Sequence, residues 1–331
     1  MDILDKILKS DYSKLFSNDK NLIEKEYKSY VKQVHPDVNK DSRATNAFQK
    51  LSELKAAALK AISNGTWKQE NYIQFKTIDN RIIKINYLYH RTLDICEYYV
   101  CKERVIYVFN KTGKEKFYKQ YIYTVKNLTY KNNSMRENFS PLFPQNLDTY
   151  ETNDKFIISF HKNRDIYPLR AVIDNYWKGK VPGKHLAWIT SRLMQILAYT
   201  EYSNIVINGI DIDSCFVSLK GHAVYLYGGW WFSTRKNDRM IGTTPEIYSI
   251  MPPKVKADKK SDYLTDIESV KYMLRALDED CPEPIKTYYL SGSCEEHLKE
   301  WVKWEETLKK AYGERKFIKL EPEEKEIYLK E

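Results

Sequence analysis

The sequence predicts a multidomain chain: an all-α unit built on an antiparallel helical hairpin at residues 1–66, an α+β domain of two lobes at 67–313, and a charged tail at 314–331. Three observations predict it. Between residues 20 and 63 apolar side chains recur at steps of three and four on both sides of one proline-bearing loop. From 82 to 160 short alternating, strand-like runs are interrupted by a single helical pattern, and from 184 onward the helical period dominates, broken by two short apolar runs.

Residues 11–16 read as a short first helix. Asn21, with Glu24 three residues later, forms a capping-box pattern, and Ile23, Tyr27, Tyr30, Val31 and Val34 then make one apolar stripe. The opposite face carries Lys25, Lys28 and Lys32. Proline disfavours helical geometry in the residue before it, so this helix stops at His35-Pro36-Asp37. After Asn39-Lys40-Asp41 an Asp or Ser cap opens a third helix with Phe48, Leu51, Leu54, Ala58 and Ile62 inward, ended by Asn64-Gly65-Thr66. Tyr27, Tyr30 and Phe48 are expected in the core.

The second domain begins near residue 70. Residues 82–89 alternate as one strand, with Ile83, Ile85, Tyr87 and Tyr89 on a common face, and 105–109 form another. A helix over 114–128 (Phe117, Tyr121, Val125, Leu128) and a strand at 155–160 follow. Residues 184–202 place Leu186, Ile189, Leu193 and Ile196 in helical register, before two short strands at 215–219 and 223–227 that turn at Lys220-Gly221. Asp266 opens a helix striped by Ile267, Val270, Leu274 and Leu277, and residues 294–312 form the last helix. The tail, with Leu320, Ile327 and Leu329 among alternating charges, reads as a charged appendage.

Composition narrows the function. Only 11 residues are glycine, where an average chain of this length has about twice as many, and no G-x-G-x-x-G occurs. Gly179-Lys-Val-Pro-Gly183-Lys184-His185 has the wrong spacing for a P-loop and no Ser/Thr for Mg²⁺, so Walker ATPases and Rossmann dehydrogenases are excluded. Mean hydropathy of −0.63 with 42% hydrophobic residues describes a soluble globular protein. The absence of a membrane-length apolar run and of a signal-like N-terminus implies a cytoplasmic location. Five irregularly spaced cysteines read as reduced thiols; Cys281, Cys294 and His297 lack a second ligand pair, so no metal is expected. The net charge is +9, but acids dilute it along most of the chain, so nucleic acid is not an expected partner. The dense cluster Lys254-Val-Lys256-Ala-Asp258-Lys259-Lys260 reads as a solvated loop.

Tyr12-Ser-Lys-Leu15, the basic helix, His35-Pro36-Asp37 and Ala47-Phe48-Gln49-Lys50-Leu51, in that order, resemble the J-domain of DnaJ/Hsp40 co-chaperones. The resemblance implies docking on a DnaK-type Hsp70 through Lys25, Lys28, Lys32, His35, Pro36 and Asp37, and stimulation of its ATPase. The physical logic stands beside it: a cationic helix face steers toward an acidic surface, and a carboxylate beside a rigid proline turn can pair with an arginine at defined geometry. The usual Gly/Phe-rich stretch and zinc repeats of an Hsp40 are missing.

Residues 72–312 resemble a protein kinase more loosely. The long helix, Asn208-Gly209-Ile210-Asp211, the paired strands, Tyr227-Gly228-Gly229, Thr244-Pro245-Glu246 and Asp266 follow the order of helix E, catalytic loop, strands, D-F-G, A-P-E and helix F, whose Asp in that family braces the catalytic loop. The charge-handling positions differ. The catalytic Asp falls on Ile210, the Mg²⁺-binding Asn on Cys215 and the D-F-G Asp on Tyr227; the strand Lys falls near Phe109, with Lys111 close by. The resemblance is therefore to a pseudokinase, with no cofactor and no catalysis expected. Asp211, one residue from the base position, and Asp213 read as solvated loop carboxylates, and Tyr227-Gly-Gly-Trp-Trp231 as a packed aromatic corner. The function expected is that of an Hsp70 co-chaperone whose kinase-like domain binds a partner or client. The alternative is an atypical kinase or nucleotide-dependent transferase using Asp211 or Asp213.

Overall fold

A computed structural model describes residues 2–17, 19–63, 71–314 and 318–328. The chain divides into two compact units, Met1–Phe75 with Ile83–Asn86, and Lys76–Ile82 with Tyr87–Glu331.

The first unit holds α1 (Ile3–Lys9), α2 (Tyr12–Leu15), α3 (Lys20–Val34), α4 (Ala44–Ser63) and a hairpin of β1 (Tyr72–Lys76) and β2 (Ile82–Asn86). α3 and α4 pack together over Ile23, Val34, Ala47, Leu51 and Ala58, all without exposed surface, with Leu4 and Ile7 of α1 added at one side. Small residues on α4 let α3 approach closely, which leaves Tyr27, Tyr30 and Phe48 half-buried at the margins rather than central. The expected capping box does not form. The Asp19 carboxylate accepts the N–H groups of Asn21 and Leu22 at 2.8 and 3.0 Å, because a full negative charge serves a helix N-terminus better than an amide. Glu24 instead pairs with Lys55 of α4 at 2.9 Å. α1, not anticipated from sequence, is tied down by Arg43, which reaches Asp2, Asp5 and Asp41 at 2.9, 3.0 and 2.7 Å. The expected stop at Asn64-Gly65-Thr66 lies outside the described residues.

The first lobe of the second unit is a five-stranded antiparallel sheet of β3 (Tyr89–Thr92), β4 (Glu97–Val100), β5 (Arg104–Asn110), β6 (Asp148–Glu151) and β7 (Lys155–His161), in the order β3-β4-β5-β7-β6. α5 (Lys111–Lys126) buries Phe117, Tyr121 and Val125 against it, and α6 (Asn133–Phe139) follows. The single strand expected at 82–89 is two strands of different sheets. The chain bends at Leu88 between them, where Leu88 N–H bonds Val100 O at 2.6 Å and Tyr87 packs on Tyr99.

The second lobe comprises β8 (Ile166–Pro168), α7 (Leu169–Ala171) with a wide π-type turn over Val172–Tyr176, α8 (Gly183–Tyr202), β9 (Ile205–Val206), β10 (Cys215–Ser218), β11 (Ala223–Leu226), β12 (Thr234–Arg235), α9 (Pro245–Ile250), α10 (Pro253–Asp258), α11 (Tyr263–Leu277), α12 (Glu283–Leu290), α13 (His297–Tyr312) and α14 (Glu324–Tyr328). α8 is its axis, with α11 and α13 against it and Leu186, Ile189, Leu193 and Ile196 buried. Lys271 of α11 and Glu300 of α13 form a fully buried ion pair at 2.9 Å. Asp266 sits inside the first turn of α11, whose cap is Asp262.

Two expectations fail here for packing reasons. The 254–260 cluster is not a loop: Pro253 starts α10 and Lys259, at φ 53°, ends it. The tail is not an appendage either, since Ile327 has no exposed surface and its carbonyl accepts from Asn175 Nδ2 at 2.7 Å, while its charges face outward. Leu329 lies outside the described residues. Among the described residues no helix is long and apolar enough to cross a membrane.

Candidate functional site

Two places carry the sequence-derived candidates, one in each unit. In the first, α3 exposes Lys25, Lys28 and Lys32 along one face, and among the described residues none of the three is paired with a carboxylate. His35 ends α3, its N–H bonding Val31 O at 2.9 Å, and its own carbonyl accepts from Val38 and Asn39 N–H at 2.9 and 2.8 Å, closing a tight turn around Pro36. The imidazole packs edge-on against Phe48 of α4 at 5.0 Å. Its Nδ1 accepts the Asp37 N–H at 3.3 Å, while the Asp37 side chain remains 87% exposed. The loop thus presents one carboxylate from a braced turn, next to a cationic stripe.

The second place is the junction of the two lobes in the larger unit. Asp266, fully buried, accepts the backbone N–H groups of Ile207 and Asn208 at 2.8 and 2.9 Å and so fixes the loop that leaves β9. Burial pushes its carboxyl up to about 7 even against those two bonds. The kinase resemblance implies a brace at this position. Along the loop, Ile210 is buried and offers no titratable group. Asp211 accepts the Ser214 N–H at 2.7 Å; burial, with the neighbouring Asp213 charge, pushes its carboxyl up to about 7. Asp213 lies 2.6 Å from Arg91 of β3 and 3.0 Å from Arg170 of α7.

Neither carboxylate is a solvated loop group as expected. Asp211 is half-buried and Asp213 is 9% exposed, neutralised by two arginines that no sequence signal connects to it. Arg91 and Arg170 are residues of this candidate site that sequence reasoning missed.

The remaining kinase-like positions are filled by groups that do not handle charge. Cys215 is buried, its thiol pushed up to about 12 by that burial. Burial likewise raises the phenol of Tyr227, whose carbonyl accepts from Tyr121 Oη of α5 at 2.7 Å. Gly228 and Gly229 are required by close backbone contact: a Cβ on Gly228 would lie 2.8 Å from Ser214 Cα, and one on Gly229, at φ 82°, 2.8 Å from Gly209 O. Trp230 and Trp231 are buried, so the aromatic corner is present as read. Lys111 pairs with Glu151 of β6 at 2.5 Å.

Aromatic side chains of the two lobes meet at their junction. Tyr98 meets Phe216 with ring centroids 6.2 Å apart, Phe160 meets Tyr227 at 5.1 Å, and Trp231 lies 5.5 Å from Tyr107 and 5.9 Å from Tyr121. The β3–β4 turn, Leu93-Asp94-Ile95-Cys96, is closed by a 2.8 Å backbone bond and contains no glycine. In the second lobe, His297 directs Nδ1 and Nε2 to the carbonyls of Leu197 and Tyr263 at 2.6 and 3.2 Å. Among the described residues no three His, Cys, Asp or Glu side chains are grouped to hold a metal.

No protein-family model and no curated protein sequence matches the chain. Among solved structures, that of vaccinia related kinase 3 aligns over 74% of this chain and 93% of its own, with a TM-score of 0.51 and 12% identity. At that identity the likeness speaks to the fold, which is protein-kinase-like. The resemblance of the N-terminal hairpin to a J-domain rests on its own residues.

Proposed function

We propose that this protein is an Hsp70 co-chaperone: its N-terminal hairpin acts as a J-domain, and its kinase-like unit serves as a binding module rather than a phosphotransferase. The observation that carries the first half is the His35-Pro36-Asp37 turn, braced on Phe48 and flanked by Lys25, Lys28 and Lys32, which are without a carboxylate partner among the described residues. A cationic stripe accelerates encounter with an acidic surface, and the exposed Asp37 carboxylate offers one charge-assisted contact at fixed geometry.

What supports the second half is the chemistry of the lobe junction. Phosphoryl transfer needs Mg²⁺ ligands and a base facing an open cleft. Here the corresponding positions are Ile210, Cys215 and Tyr227, and Asp213 is held by Arg91 and Arg170. The test is steady-state ATP hydrolysis by Hsp70 with the full chain added. Stimulation by wild type that is absent with His35→Gln supports the reading, and equal rates for both sink it.

The kinase-like fold also suits the alternative, an atypical kinase, and one observation favours it: Asp211, with its carboxyl pushed up to about 7, has the proton affinity of a general base at neutral pH. A rise in melting temperature on adding ATP and Mg²⁺, lost in Asp211→Asn, would select the alternative.

A further inference from the structure

The basic cluster at 254–260 does not stand alone. The segment after β12 runs antiparallel to the segment after α10: Asn237 N–H bonds Ser261 O at 2.8 Å, Ser261 N–H bonds Asp238 O at 2.9 Å and Met240 N–H bonds Lys259 O at 2.9 Å. Arg239 and Lys260 face each other across this ribbon. Arg235, Lys236, Arg239, Lys254, Lys256, Lys259 and Lys260 therefore share one region, against four acids between residues 233 and 262. Among the described residues none of the seven is ion-paired. Like charges set opposite each other cost stability, and here no carboxylate offsets that cost.

We propose that this ribbon, with α10, binds the phosphate backbone of single-stranded nucleic acid. Three features select that ligand. The ribbon's N–H groups at 237, 240 and 261 are spent on its own bonds, so no cup for an isolated phosphate is left. Five of the seven cations are lysines, point charges suited to an extended polyanion, whereas carboxylate recognition favours the arginine fork. Tyr248 of α9 is 52% exposed beside α10, with Lys256 Nζ 5.4 Å from its ring, and can stack a base. Acids elsewhere in the sequence mask this cluster, and only the pairing of two segments separated by some twenty residues gathers it. The proposal is independent of Hsp70 and of whether the kinase-like unit is catalytic.

The test is fluorescence anisotropy of the full chain with a labelled mixed-sequence RNA of about 20 nucleotides across a salt series. Each neutralised phosphate contributes roughly −0.7 to the slope of log K against log salt, so four or five contacts give about −3. R239Q/K260Q should shrink that slope by about 1.4, and K254Q/K256Q, outside the ribbon, should shrink it similarly. Y248A should weaken binding about fivefold or more at unchanged slope. K309Q/K310Q, an equal charge change on α13, should alter neither. Absence of binding at low salt, equal losses in the α13 control, or displacement of the RNA by poly-glutamate at matched charge would overturn the proposal, the last in favour of an acidic protein.

Discussion

Arg91 Nε lies 2.6 Å from the Asp213 carboxylate, so a strand of the first lobe is held electrostatically to the loop of the second where a kinase would carry out its chemistry. Arg170 completes the pairing at 3.0 Å. Removing one partner of such a buried group is more costly than the pair is worth, because the other charge is stranded. Asp213→Ala should therefore lower unfolding free energy by about 3 kcal/mol, the lower end of the usual range since both arginines retain some exposure. Arg91→Ala, which leaves Asp213 with Arg170, should cost less. Urea denaturation of the two variants checks the order.

Asp211 protonates near pH 7 in the folded chain and near 4 when unfolded. Between those values the native state holds a proton that the unfolded state lacks, so this group's contribution to stability falls as pH rises from about 4 to about 7. Asp211→Asn keeps an acceptor for the Ser214 N–H and removes the charge. The variant should be more stable than wild type at pH 8, by up to about 4 kcal/mol, with no advantage at pH 4. Urea midpoints measured against pH decide it.

Truncating Asp266 to Ala strands two buried N–H groups, those of Ile207 and Asn208. At about 1–3 kcal/mol for each unsatisfied group, a loss of roughly 2–6 kcal/mol is expected. Amide exchange should accelerate at these two residues first; unchanged protection there would refute the bracing role.

Gly229→Ala combines a positive φ with a backbone clash against Gly209 O. The expected cost is about 2–4 kcal/mol, from the left-handed penalty and the displaced loop together. Gly292→Ala, where a Cβ meets nothing within 4 Å, should cost far less, and the two melting temperatures are the comparison.

His35→Gln gives up an edge-on aromatic contact but no buried hydrogen bond, so its stability change should stay below about 1.5 kcal/mol. Under the co-chaperone function proposed above, its effect on Hsp70 ATPase stimulation should instead be near-complete. A large loss of stability would mean that the residue serves folding rather than docking.

Local periodicity made most of the helices legible: the stripes of α3, α4, α8 and α11 lie inward as their spacing implies. The bonds of Asp266 to the loop had no local signal and were expected only through the resemblance to a kinase. The strands β4, β6 and β8 were not legible, since four residues such as Asp148–Glu151 carry too short a pattern to separate from loop. Nor was the setting of Asp213. Its partners stand 122 and 43 positions upstream, and an aspartate in a polar loop has the same local sequence whether it is solvated or clamped. Arginine and lysine on surface segments pose the same problem, which hid the ribbon around Arg239 and Lys260.

Tyr328 of α14 lies beside Tyr89 of the first lobe and Tyr167 of the second, with ring centroids 6.3 and 5.7 Å apart. Translation therefore imposes a delay on this fold. Tyr89 leaves the ribosome some 240 residues before Tyr328, which at synthesis rates of about 5–20 residues per second is roughly ten to fifty seconds. Throughout that interval Tyr89 and Tyr167 lack the ring that packs beside both of them in the folded chain. The contact through which Tyr328 touches both lobes therefore forms only after both have been synthesised.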